Sequence, residues 1–206
     1  MTPTGSTSIS AAVEGLVDEA VARCLIEYVG GIPGPIYGKF GKAYLKEKIT
    51  GYNNAARYAL WFVLVDLNNE ARCAPLLRES WLPNPAPYMC FRIAVKEVET
   101  WLLADRDGLS EFLQVPVTRV PHDPENIRDP KNEIVRLARI SGSHEIREDM
   151  IPRPNSSRVI GPAYPSRLIE FVTIFNRRWR PGLAAKRSNS LTRCLRCLER
   201  LASRHS

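Results

Sequence analysis

The stretch "WFVLVDLNNE" limits the fold more than any other part of this chain. Trp61, Phe62, Val63, Leu64 and Val65 form an unbroken apolar run that stops at Asp66, with Asn68, Asn69 and Glu70 close behind. A run of that length suits a strand buried on both faces, as in parallel sheets covered by helices on each side. Its abrupt polar end places oxygen-bearing side chains just beyond the strand.

The neighbouring segments repeat the pattern. "TSISAAVEG" predicts a short strand ending at Glu14-Gly15, and Val17, Val21, Leu25 and Val29 then recur at helical spacing up to Gly30-Gly31. The glycine-rich "IPGPIYGKFGK" predicts a short strand before the helix-like "KAYLKEKITGYNNAARY". "CAPLLRESWLP" predicts a helix ended by prolines, "YMCFRIAV" a fourth strand, and "KEVETWLLADRDGLSEFLQV" one helix with Val98, Trp101, Leu102, Leu109 and Phe112 inward. Strands alternating with helices predict an α/β fold around a mostly parallel sheet, spanning residues 1–115. Residues 116–206 read differently: a turn-rich loop, a helix in "PKNEIVRLARIS", an irregular "REDMIPRPNSSRVIGPAY", then helices in "SRLIEFVTIFNRRW" and "SLTRCLRCLERLA", the last capped by Ser190. They are expected to form a mainly helical extension packed on the first part.

Charge sharpens that division. Residues 1–115 carry 11 Lys/Arg and 13 Asp/Glu, residues 116–157 carry 7 of each, and residues 158–206 carry 11 against 2. A balance of +9 over the last segment suits a polyanion, an acidic partner, or simply a solvated helix face. Arg158, Arg177 and Arg178 are the candidate phosphate contacts there. Lys39 and Lys42 in "YGKFGK" are two more, although the spacing is not that of a P-loop. Trp179, among arginines, could stack a base, but packing is the preferred reading.

No run nears the ~18 apolar residues of a membrane span. The start, "MTPTGSTSIS", has neither a basic nor an apolar segment. With five scattered cysteines, this predicts a cytoplasmic chain with reduced thiols. "CLRC" has no second pair or histidine to complete a metal site and reads as a helical packing pair.

In parallel sheets functional groups gather beyond the C-terminal strand ends. Two predicted strands end in acids, Glu14 and Asp66. A third leads into Glu97 and Glu99, and Asp18 lies four residues after Glu14. Crowded carboxylates repel unless a cation sits among them, and oxygen-only ligands suit Mg²⁺ or Mn²⁺. Each acid also has a structural reading: a helix N-terminus stabilises Glu14 or Glu97, a turn accommodates Asp66, and Asp18, Glu70 and Glu99 suit a solvated helix face.

The order of these motifs resembles the Toprim fold of topoisomerases, DnaG-type primases and overcoming-lysogenization-defect nucleases. There a first acid follows strand one and an Asp-x-Asp pair follows a later strand. "RIAVKEVETWLLADRDGLSEFL" and "REDMIP…GPAY" look closer still to a small Toprim-like family encoded beside AAA or SMC-like ATPases and linked to antiphage defence. The resemblance implies that Glu14 is the metal-binding or acid/base glutamate, with Asp18 as its helical companion. Asp66 is the first aspartate of the pair, and Glu97, with Glu99, the later carboxylate. Asn68 stands where a second aspartate is expected, so the metal site is one charge short unless Glu70 supplies it.

Two functions follow as expectations. One is a Mg²⁺- or Mn²⁺-dependent nuclease on DNA or RNA, with Glu14, Asp66 and Glu97 catalytic and Asp18, Asn68 and Glu70 completing the metal ligands. The other is a noncatalytic Toprim-like subunit of an ATPase complex, which the missing charge at Asn68 favours. Nucleic acid, an ATPase and a second copy of the chain are the expected partners, with no membrane.

Overall fold

The computed structural model describes residues 8–68, 70–173 and 179–205. Four strands, β1 (Ser8–Val13), β2 (Ile32–Gly38), β3 (Trp61–Asp66) and β4 (Met89–Ala94), form one sheet in the order β2-β1-β3-β4, every neighbouring pair parallel. Between them run α1 (Leu16–Tyr28), α2 (Lys42–Ala55) and α3 (Ala74–Trp81). The α/β expectation with a parallel sheet holds. All six residues of β3 are buried, as its apolar run requires of a strand covered on both faces.

Side-chain alternation divides the core in two. Ile9, Ala11, Val13, Phe62, Leu64 and Cys90 face the layer that contains α1, whereas Ala12, Trp61, Val63, Val65, Phe91 and Ile93 face Leu45 and Ile49 of α2 and Leu77 and Trp81 of α3. Chain order places a switch point between β1 and β3, because the chain leaves β1 toward β2 and then returns to the other side for β3. A crevice opens at such a point beyond the strand ends.

Past β4 the described residues hold helices only: α4 (Val98–Ala104), α5 (Arg106–Leu113), α6 (Pro130–Arg139), α7 (His144–Met150), α8 (Tyr164–Thr173), α9 (Pro181–Ala184) and α10 (Asn189–Ala202), with short 3₁₀ turns. Leu168, Phe171, Leu191 and Leu198 from this part share one core with Ile9, Leu25 and Phe62.

Three local expectations change. The single helix expected over 96–115 is two, broken at Asp105, whose carboxylate accepts from Gly108 N and grips Arg180 through three donors. The five apolar residues expected inward remain buried. The cap of α10 is Ser188, whose hydroxyl accepts from Leu191 N. Ser190 instead donates to Glu125 and accepts from Trp101 Nε1. Residues 147–150, expected to be irregular, belong to α7 because Ser143 caps that helix and Ile146 and Met150 pack inward.

Trp179 is fully buried, and its indole N–H donates to Trp101 O at 3.0 Å. Packing, not base stacking, is its role. Trp179→Ala should therefore cost about 3–5 kcal/mol of stability, measurable by urea unfolding. A loss below about 1 kcal/mol would show that the contact is dispensable.

Candidate active site

The C-terminal edge of the sheet collects the acids from three segments. Glu14 directly follows β1, and its Oε1 accepts from the backbone N–H of Asp66 at 2.8 Å. Asp66 closes β3, and its Oδ1 accepts from Val98 N, at the start of α4, at 2.9 Å. The switch point is thus clasped by two carboxylates, each holding a backbone amide of the next segment. Asp18 lies in the first turn of α1, buried beside Glu14, and its Oδ1 has no hydrogen-bond partner. Glu97 is the residue before α4, and its Oε2 is likewise buried and unpartnered. Glu99, in the first turn of α4, is only 4% exposed, and its Oε1 lies 3.5 Å from the Tyr164 hydroxyl.

Two lysines act on this group: Lys42, whose charge favours the ionised form of Glu14, and Lys131. Lys131, at the start of α6, lies 3.5 Å from Glu97 and 3.7 Å from Glu99. Sequence reasoning overlooked it because the contact joins residues 34 apart, and nothing in "DPKNE" marks the lysine as inward-facing. Tyr164 was missed for the same reason.

Burial governs the protonation of these acids. Asp18 is pushed up to about 6, by burial first and then by the charge on Glu14. Glu99 rises to about 7 through burial and the nearby Glu97 and Asp18, against the pull of Lys131. Burial also raises Glu14, with the amide bond from Asp66 opposing it. Asp66 is held well above the usual carboxylate range, by burial and then by Asp18, Glu99 and Glu14. The cluster therefore takes up protons readily. Lys131→Met removes a counterion and should lower stability by about 1–2 kcal/mol at pH 8 and by much less at pH 5. Equal losses at both values, followed by chemical unfolding, would show that Lys131 does not neutralise the cluster.

Other expected residues lie elsewhere. Glu70 pairs with Lys42 at 2.9 Å and Lys46 at 3.4 Å and accepts from Trp81 Nε1, on the α2–α3 side. Asn68 is exposed, with φ +49 and its N–H donating to Lys96 O. Asparagine tolerates that left-handed backbone better than most residues, a structural reason for the departure from aspartate. Lys42 also donates to the carbonyls of Asp66 and Leu67, so it fastens the end of β3. Lys39 pairs with Glu19 at 3.0 Å. The amides of Lys39 and Gly41 donate to the carbonyls of Val13 and Glu14, which closes the glycine turn onto β1. Arg158 is exposed on the loop between α7 and α8. Arg177 and Arg178 lie outside the described residues.

Among the described residues no three His, Cys, Asp or Glu side chains already form a metal-binding group. The donors nevertheless fit a hard divalent ion: all are oxygens, and Asp18 Oδ1 and Glu97 Oε2 are buried with nothing to bind.

No protein-family model, no curated protein and no solved structure matches the chain. Fold and site define it only as an α/β protein with an acidic crevice at the switch point of a parallel sheet. Among the described residues no helix is long and apolar enough to cross a membrane.

Proposed function

We propose that the chain is a Mg²⁺- or Mn²⁺-dependent nuclease with a Toprim-like active site, the effector of an ATPase-associated antiphage system. The observation that carries this reading is the meeting of Glu14 and Asp66 at the switch point, beside the unpartnered buried oxygen of Asp18. The placement of Glu14 directly after β1 and of Asp66 at the end of β3 supports the Toprim-like part of the reading.

Glu14, Asp18 and Asp66 are the residues that would hold the ion, with Glu97 at its flank. Once bound, a divalent cation polarises a phosphodiester and makes a coordinated water more acidic. The chain's own contributions are positional. The amide bonds Asp66 N to Glu14 and Val98 N to Asp66 fix two carboxylates relative to the sheet. Lys131 neutralises Glu97 and Glu99 from the far side. Glu99, pushed up to about 7, is able to hold or release a proton near neutrality.

Cleavage of single-stranded DNA, duplex DNA and RNA by wild type and Glu14→Gln, in Mg²⁺ and in Mn²⁺, tests the proposal. Metal-dependent cleavage by wild type alone supports it, and equal cleavage by both proteins refutes it.

A noncatalytic ATPase subunit is the second reading, favoured by Lys131, which already gives the acids a cation of their own. It expects stable co-purification with an ATPase and no effect of divalent ions on thermal stability.

A further inference from the structure

A groove of about 990 Å³ follows the outer edge of β4. Its walls are α3 with the turn before it and α10, and its floor includes Phe91, Arg92 and Ile93. Six arginines line it: Arg72 and Arg78 from one wall, Arg193, Arg196 and Arg200 from the other, and Arg92 from the strand itself. Leu67 and Lys96, at the end where β3 and β4 finish, line the groove and are the chain neighbours of the crevice residues Asp66 and Glu97, which do not line it themselves.

Elsewhere arginines face carboxylates: Arg167 meets Glu145, Asp149 and Glu170, Arg180 meets Asp105, and Arg136 meets Glu133. Among the described residues none of the six groove arginines has such an ion pair. Of the groove's two acids, Glu125 is occupied by the hydroxyls of Ser188 and Ser190 and by Ser190 N, and Glu79 stands alone on α3. Arg92 Nε is buried with no acceptor. An unmatched buried donor costs about 1–3 kcal/mol, and guanidiniums gathered without carboxylates repel one another. Both costs fall if an anion occupies the groove. Arginines of the groove also act on Cys197 of α10. Its thiol is pushed down to about 7, first by its hydrogen bond with Cys90 and then by Arg92, Arg200 and Arg78.

We propose that this groove holds the sugar-phosphate backbone of a single-stranded nucleic acid and leads it to the acidic crevice. The second clause rests on the nuclease reading; the first does not. Arginine forks match phosphate oxygens in pairs, and a channel at a sheet edge between two helices has the scale of a small-ligand pocket, which fits one strand and not a duplex. Phe91 is buried, so the floor offers no exposed ring for base stacking, and contact is to the backbone without sequence preference.

The test is fluorescence anisotropy in EDTA with a labelled mixed-sequence oligonucleotide of about 12 nucleotides. The proteins compared are wild type, Arg193→Ala/Arg196→Ala, and Arg57→Ala/Arg139→Ala as a control of two exposed arginines outside the groove. Arg193 and Arg196 are exposed, so the substitutions leave the core intact. The expected result is tight binding that weakens steeply with salt, at least tenfold weaker in the groove variant, unchanged in the control, and weaker for the matching duplex. Equal affinity of wild type and groove variant would overturn the proposal. So would equal binding of the duplex, equal weakening in the control, or binding of an acidic peptide but no oligonucleotide. Groove binding without cleavage would leave the first clause standing and remove the nuclease reading together with the second clause. Glu14-dependent cleavage undiminished in the groove variant would do the reverse.

Discussion

Asp66→Asn is expected to abolish metal-dependent cleavage while making the metal-free protein more stable. The two effects have opposite signs because they arise from the same charge. Asp66 is buried among Asp18, Glu99, Glu14 and Glu97, and its pKa is raised well above the carboxylate range, so its charged form opposes folding. Asparagine has nearly the same shape and keeps an oxygen that accepts the Val98 amide, so the link from β3 to α4 survives. Removing the charge should raise the stability of the metal-free protein at pH 8, read as a higher urea midpoint than that of wild type. The same change removes a metal ligand, and cleavage should fall by about 10³-fold or more, as when a preorganised charge-stabilising group is lost. Chemical unfolding and a cleavage assay on one preparation measure both. Lower stability together with intact cleavage would contradict the placement of Asp66 in a charge-crowded metal site.

The second large effect is on the pH dependence of stability. Asp18 rises from 3.8 to about 6 on folding and Glu99 from 4.5 to about 7. Between the unfolded and folded values the native state binds more protons than the unfolded chain, so stability falls as pH increases. Their stabilising protons are fully in place only below about pH 4 and are lost as pH passes the folded values near 6 and 7. A tenfold change in proton affinity corresponds to about 1.4 kcal/mol, so the pair contributes on the order of a few kcal/mol across that window. Acid denaturation by other groups sets in at lower pH. The metal-free protein should therefore melt at higher temperature at pH 5.5 than at pH 8. Saturating Mn²⁺ should recover most of the difference at pH 8, since a ligand at 100 times its Kd adds about 2.7 kcal/mol. A melting temperature that rises from pH 5.5 to 8 without metal would contradict the burial of these acids as charge-opposing groups.

Much of this arrangement was legible in local sequence. The run Trp61–Val65 could only be a doubly covered strand, and its position in the sheet beside β1 and β4 follows from that burial. Glu14 and Asp66 were legible because each ends an apolar strand, where a carboxylate has no place in the core. What was not legible depends on distant pairing. Lys131 reaches the crevice only because α6 packs on α4, and Tyr164 only because α8 brings it to Glu99. Spacing suggested Glu70 as a replacement ligand, but its pairing with Lys42 and Trp81 was not legible in the sequence.

The basic character of the C-terminal segment was visible as charge, but not its location. Arg193, Arg196 and Arg200 form one polar stripe on α10 opposite the buried Leu191, Cys194, Leu195 and Leu198. Their meeting with Arg72, Arg78 and Arg92 depends on α3 and α10 flanking the same edge strand. Helical spacing in "RCLRCLER" supplied half of that pattern; the sheet order supplied the rest. The break at Asp105 escaped helical periodicity because both helices keep their apolar residues inward.

The central claim is that the acidic crevice is a divalent-metal site built on Glu14. Calorimetric titration of wild type and Glu14→Gln with Mg²⁺ and with Mn²⁺ tests it most directly. The account predicts saturable binding by wild type, accompanied by proton release near pH 6, and its loss in the variant at unchanged fold. No heat of binding up to millimolar metal, or identical binding by the two proteins, would contradict it.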